Sequence, residues 1–213
     1  MLGRLVSLLA LGLVGFPPGS PERPPVTIVA FGDSLTAGYG LTPEEAWPAV
    51  LEQLLRQEGR PAKVRNAGLS GETTAGGVRR IEWVLRECPD FLILALGAND
   101  GLRGLPLQNT EENLLEIIRK ARSRCPNVTV VLAGMLVPPN LGPEYARKFR
   151  DLFPRVAREG NAVLIPFLLE GVAGRPDRNL PDGIHPNPEG HRIIARTVWE
   201  VLKPLLETPT AEP

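Results

Sequence analysis

From residue 26 onward the chain alternates short β-rich runs with longer stretches of helical periodicity, and this alternation restricts the available folds more than any other feature. Residues 26–31, 62–66, 91–96, 128–133 and 162–165 read as strands, each bounded by Gly, Pro, Asn or Asp. Thr42-Pro-Glu-Glu45 reads as a capping box with Pro at the first helical position, and Ala49, Leu51, Leu54 and Leu55 recur at helical spacing toward Gly59. Further helices are predicted over 74–85, 109–123, 144–158 and 187–206. Five largely apolar strands alternating with helices imply a mostly parallel sheet covered on both faces, a three-layer α/β/α single domain.

The remaining segments are assigned by composition. Arg4 followed by an uncharged run from Leu5 to Phe16 has the layout of a secretory signal, and about 20 apolar residues would be needed to span a bilayer. Residues 1–20 are therefore expected to be a signal cleaved near Gly19 or Ser20, the alternatives being an uncleaved membrane anchor or a misassigned start. Residues 21–25 read as a linker, 26–206 as the domain and 207–213 as a fraying polar tail. The 24 Lys and Arg balance 24 Asp and Glu, with no polybasic run, which argues against nucleic acid as a partner. A four-ligand zinc site would need both Cys and both His, Cys88, Cys125, His185 and His191, at spacings that match no finger or ribbon, so no metal is expected.

In open α/β sheets the reacting groups gather at the carboxyl ends of the strands. The residues at those ends include Gly32-Asp33-Ser34-Leu35, Ala67-Gly68-Leu69-Ser70-Gly71, Gly97-Ala98-Asn99-Asp100 and, after the last strand, Asp182-Gly-Ile-His185. Acyl transfer needs a nucleophile, a base, a group that orients the base, and oxyanion donors. Ser34 can be the nucleophile, His185 the base and Asp182 the orienting acid, with Gly71 N–H and the Asn99 amide as donors. Other roles are open to the same residues. Ser34 can be a helix cap, Gly71 a turn glycine and Asn99 a turn residue. Asp33 competes with Asp182 as the triad acid but reads better as a turn carboxylate, and His191 falls on the first turns of the last helix, where a structural role is expected.

No G-x-S-x-G, G-x-x-x-x-G-K-[ST] or H-E-x-x-H motif is present, and no G-x-G-x-x-G follows a strand. Four ordered blocks, Phe31-Gly-Asp-Ser34-Leu, Asn66-Ala-Gly-Leu-Ser-Gly71-Glu-Thr, Gly97-Ala-Asn99-Asp100 and Asp182-Gly-Ile-His185-Pro-Asn, resemble those of the SGNH hydrolases, also called GDSL esterases. The resemblance covers nearly the whole chain after residue 25. It is strongest to the bacterial thioesterases that also act as lysophospholipases and arylesterases, to which Asn99-Asp-Gly-Leu-Arg-Gly104 and Pro166-Phe-Leu-Leu-Glu170 add. It implies a flavodoxin-like sheet of order 2-1-3-4-5 and no cofactor. It also implies a Ser34, His185, Asp182 triad and an oxyanion hole of Ser34, Gly71 and Asn99. Gly68 and Leu69 depart from the usual second block.

Two further expectations depend on that sheet order. Met135, Leu136 and Leu141 after the fourth strand, with Leu102 and Leu105 after the third, either pack in the core or wall an acyl groove. Cys88 and Cys125 are each expected to close a helix and precede Pro, and the two helices would be neighbours, so an exported protein would join them in a disulfide, the alternative being two buried free thiols. The chain is expected to be an exported, monomeric serine esterase and thioesterase, periplasmic or secreted. Its substrates would be acyl-CoA, lysophospholipids and aryl esters. The alternatives are a carbohydrate acetylesterase of the same fold and a non-catalytic lipid- or glycan-binding domain.

Overall fold

A computed structural model describes residues 25–207; the expected signal, most of the expected linker and nearly all of the expected tail lie outside the described residues. Five parallel strands form one sheet in the order β2-β1-β3-β4-β5: β1 Val26–Gly32, β2 Ala62–Gly68, β3 Phe91–Ala95, β4 Thr129–Ala133 and β5 Val163–Ile165. Helices α1 Ser34–Ala37, α2 Trp47–Gln57, α3 Thr74–Val84, α4 Ala98–Leu102, α5 Leu107–Arg124, α6 Pro143–Glu159 and α7 Pro188–Glu207 make up the rest of the fold. All five residues of β3 are buried, as a strand covered on both faces requires. Leu114, Ile117, Ile118 and Ala121 of α5 and Phe149, Leu152, Phe153 and Val156 of α6 are buried at helical spacing, as are Leu51 and Leu55 of α2 and Ile194, Val198 and Leu202 of α7. Each large aliphatic or aromatic side chain so buried contributes about 1.5–3 kcal/mol.

Three expectations change. Thr42-Pro-Glu-Glu45 does not open a helix. Glu45 Oε2 accepts from Thr42 N and Thr42 Oγ1 at 3.1 and 3.2 Å, closing a turn, and α2 starts at Trp47 with Pro48 in its first turn. The same local chemistry, a hydroxyl residue with a carboxylate three positions on, satisfies an isolated turn as well as a helix start. α5 begins at Leu107, two residues before the expected start, behind Pro106. Cys88 lies beyond the end of α3, whereas Cys125 caps α5; their sulfurs are bonded.

The short helices α1 and α4 were not anticipated, and both begin at the carboxyl end of a strand. α1 lies almost on top of the strand ends. A Cβ on Gly32 would come within 2.1 Å of Thr36 Oγ1, and one on Gly68 within 2.2 Å of the Ala37 backbone nitrogen. Gly32 is registered with Gly68 on one side and Ala95 on the other, so bare backbone at two adjacent strand ends leaves the space α1 occupies.

Candidate active site

α1 presents Ser34 as its first residue. Asp33 caps the helix, its Oδ1 accepting from Leu35 N at 3.0 Å. From β2, Asn66 Nδ2 donates to Thr36 O at 2.9 Å, while its Oδ1 accepts from Gly68 N at the same distance. The nucleophile candidate is thus held by a cap, a side-chain brace and a close backbone approach.

His185 comes from the loop before α7. Leu180 N donates to His185 O at 2.7 Å, and Asp182 Oδ1 accepts from the N–H groups of Ile184 and His185, each at 2.9 Å. Asp182 Oδ2 lies 2.7 Å from His185 Nδ1, and His185 Nε2 lies 3.0 Å from Ser34 Oγ. Hydrogen bonds from the His185 backbone, the His185 ring and the Ile184 N–H pull the Asp182 carboxyl down to about 2. An ionised carboxylate only accepts, so Nδ1 must donate, and in the neutral ring Nε2 is left to accept from the serine hydroxyl. This is the arrangement general-base activation of Ser34 requires.

The oxyanion candidates meet through Asn99. Its Nδ2 donates to Asp33 Oδ2 and to Glu72 O, both at 3.1 Å, so it bridges the chain neighbours of Ser34 and Gly71. Both partners are acceptors, which fixes the amide orientation. Gly71 sits at φ +78°, open to glycine at little cost, and its carbonyl accepts from Arg103 at 3.1 Å. Among the described residues no partner takes the backbone N–H of Ser34 or Gly71. Asp100 is buried and accepts from the backbone and hydroxyl of Thr74, tying α4 to the first turn of α3. Burial drives the Asp33 carboxyl up to about 6, against the pull of Leu35 N–H and Asn99.

A scan against family models matches residues 30–193 to the GDSL-like lipase/acylhydrolase family. The chain belongs to that family. Among GDSL-like acylhydrolases it is 39% identical to esterase TesA of Pseudomonas aeruginosa over 84% of this chain and 89% of that one. It is 35% identical to thioesterase 1/protease 1/lysophospholipase L1 of Escherichia coli strain K12 over 84% and 85% of the two chains. The solved structure of the psychrotrophic esterase EstA from Pseudoalteromonas sp., inhibited by monoethylphosphonate, superposes with a TM-score of 0.80 at 34% identity, covering 85% of this chain and 99% of that one.

Other residues of this GDSL-like acylhydrolase complete the picture. Leu102, Leu136 and Leu141 are exposed on the rim, and Leu105 is half-buried. Their two loops touch: a Cβ on Gly104 would lie 3.9 Å from Leu141 Cδ2, and one on Gly101 would overlap Val137. Met135 differs from the expected groove wall, being 3% exposed within the core two residues beyond the end of the buried strand β4. His191 is buried on α7, and its Nδ1 accepts from Trp47 N at 3.0 Å, pinning α7 to the start of α2; burial pushes it down to about 4. Tyr39 escaped the sequence reading. Its ring lies 4.4 Å from that of His185 and covers one side of the imidazole. A lone aromatic five residues after the serine carries no spacing signal that marks it. Among the described residues there is no group of three or more His, Cys, Asp or Glu that could hold a metal ion, and no helix long and apolar enough to cross a membrane.

Proposed function

We propose that the protein cleaves acyl esters and thioesters through an acyl-enzyme on Ser34. The observation that carries this is the continuous chain Ser34 Oγ, His185, Asp182 at 3.0 and 2.7 Å. Family membership makes the chain an ester hydrolase. In the proposed mechanism His185 Nε2 takes the hydroxyl proton as Ser34 Oγ attacks the acyl carbon, and Asp182 stabilises the imidazolium. The N–H groups of Ser34 and Gly71, with Asn99, receive the developing oxyanion. His185 returns the proton to the departing alcohol or thiol, and water, activated by the same ring, releases the acid.

Six of the seven large hydrophobic residues exposed among those described, Tyr39, Leu69, Leu102, Leu136, Leu141 and Ile184, stand in segments at the carboxyl ends of the strands or beside His185. An apolar rim of this kind favours acyl chains over acetylated sugars. Thioesters, lysophospholipids and aryl esters are the proposed substrates. The protein is further proposed to act as a monomer, with its first 20 residues directing export to the periplasm or the medium. The deciding experiment is hydrolysis of p-nitrophenyl esters from acetyl to palmitoyl by wild type, Ser34→Ala and His185→Ala. Both substitutions should lower kcat by on the order of 10⁴-fold or more. Activity surviving in Ser34→Ala would refute the acyl-enzyme.

A further inference from the structure

We infer that the cleft beside Gly71 is a subsite for a phosphate group on the leaving-group side of the substrate, with Arg79 and Arg103 as its ligands. The inference rests on the reading of Ser34 as the nucleophile. The cleft, about 580 Å³, runs from Leu69, Gly71 and Glu72 along α3 past Arg79 and Arg80 to Trp83, with Arg103 at its catalytic end.

Three guanidiniums line it against one carboxylate, and their commitments differ. Arg80 is committed to its own wall: its Nε donates to Glu72 Oε1 at 2.8 Å, a second nitrogen bonds Glu72 Oε2 and Ala67 O, and the group lies 4.6 Å over the Phe31 ring. Glu72 is buried, so this pair is a neutral wall. Arg103 donates one bond to Gly71 O at 3.1 Å and keeps the rest of its donors. Arg79 has no hydrogen bond or ion pair among the described residues. The cleft therefore carries an uncompensated positive charge in a fork geometry that matches phosphate.

The same cleft holds apolar surface for the group bearing the phosphate. Trp83 is 58% exposed, and Leu69 is 51% exposed. At 1.5 Å per residue, Arg79 lies about 9 Å and Trp83 about 15 Å along α3 from its cap Thr73. A phosphate reaching Arg79 is thus set back several bonds from the scissile carbonyl, as in a phosphorylated glycerol or a phosphopantetheine chain.

Sheet order assigns the direction. Ser34 follows β1, which lies between β2 and β3; the cleft is built mainly on the segment after β2 on one side, and the exposed Leu102, Leu136 and Leu141 stand after β3 and β4 on the other. An acyl chain on the apolar side leaves the opposite, basic side to the leaving group.

Matched substrates test this: acyl-CoA against the same acyl group on pantetheine, and lysophosphatidylglycerol against the corresponding monoacylglycerol. Arg79→Ala should raise KM about threefold to fivefold for the phosphate-bearing member of a pair, and Arg79→Glu about tenfold or more. In both variants kcat/KM on the phosphate-free member should stay within about twofold, and Arg79→Lys should restore most of the loss. In wild type the KM for the phosphate-bearing member alone should rise with ionic strength. A split in the CoA pair alone identifies a nucleotide-bearing carrier, and a split in the lipid pair alone identifies a headgroup; either supports the subsite. Equal effects on both members of both pairs, or none, would overturn it. Full turnover of the phosphate-free substrates by Ser34→Ala would instead overturn the nucleophile reading beneath it.

Discussion

Asp33 Oδ2 accepts from Asn99 Nδ2 at 3.1 Å, so the residue immediately before the proposed nucleophile holds the side chain of the third proposed oxyanion donor. With Glu72 O taking the other N–H at the same distance, both amide protons are engaged, and in the proposed mechanism Asn99 meets the oxyanion by sharing one of them. Asp33 is thereby a positioning residue, working through α1 on one side and α4 on the other.

Replacing Asp33 by Asn should separate stability from activity. Because burial raises its carboxyl from 3.8 to about 6, the folded state holds a proton that the unfolded chain has released between those pH values. Stability from this group is present at low pH and is lost as pH rises from about 4 to about 6, by at most roughly 3 kcal/mol. Asp33→Asn should abolish that decline, leaving a protein at least as resistant to urea at pH 7 as wild type, while kcat falls about tenfold. Asn99→Ala should lose on the order of 10²–10³ in kcat with little change in KM. Urea titrations at pH 4.5 and 7 beside ester kinetics check both, and an Asp33→Asn variant with wild-type kcat would remove the positioning role.

Gly68→Ala places a methyl within 2.2 Å of the Ala37 nitrogen. The backbone cannot rotate away, so α1 must move. The expected cost is about 1–3 kcal/mol of stability together with a loss of turnover larger than that of any α1 surface substitution. Thermal unfolding and kcat measured on the same preparation test this; unchanged kcat would mean that α1 tolerates displacement.

The Cys88–Cys125 bridge closes a sequence separation of 37 residues just before β3 and β4, at the opposite end of the sheet from Ser34. A double Cys→Ser variant should be about 2–4 kcal/mol less stable and melt about 5–15 °C lower, with kcat/KM at 25 °C unchanged. Thiol titration of the denatured, unreduced protein should find no free thiol. Two reactive thiols would refute the bridge.

On the apolar rim, Leu141→Ala and Leu102→Ala should each shift the preferred acyl length by favouring other chains about 10-fold, the scale at which a few methylenes discriminate. An ester-length profile identical to wild type in both variants would place the acyl chain elsewhere.

The alternation of strands and helices was legible because the inner strands β1, β3 and β4 are largely buried on both faces and each long helix on one, so periodicity reports burial directly. Ser34, Gly71, Asn99 and His185 were legible because their residue types and order carry a motif. What escaped was short-range or tertiary. α1 and α4 are too brief to show a period, and the Thr42–Glu45 turn uses the hydrogen bonds of a helix cap without a helix behind it. Met135 sits two residues past the expected and observed end of its strand yet stays buried, and Tyr39 matters only through a contact with a ring 146 positions away in the sequence.

Ser34 and His185 stand 151 residues apart in the chain, and His191 docks α7 against the first turn of α2. The hydroxyl therefore meets its base only after the carboxyl-terminal helix has come home, among the last long-range contacts a chain made from its amino end can form. On the proposed triad, hydrolysis becomes a clock for completed folding: the appearance of turnover during refolding should date the docking of α7.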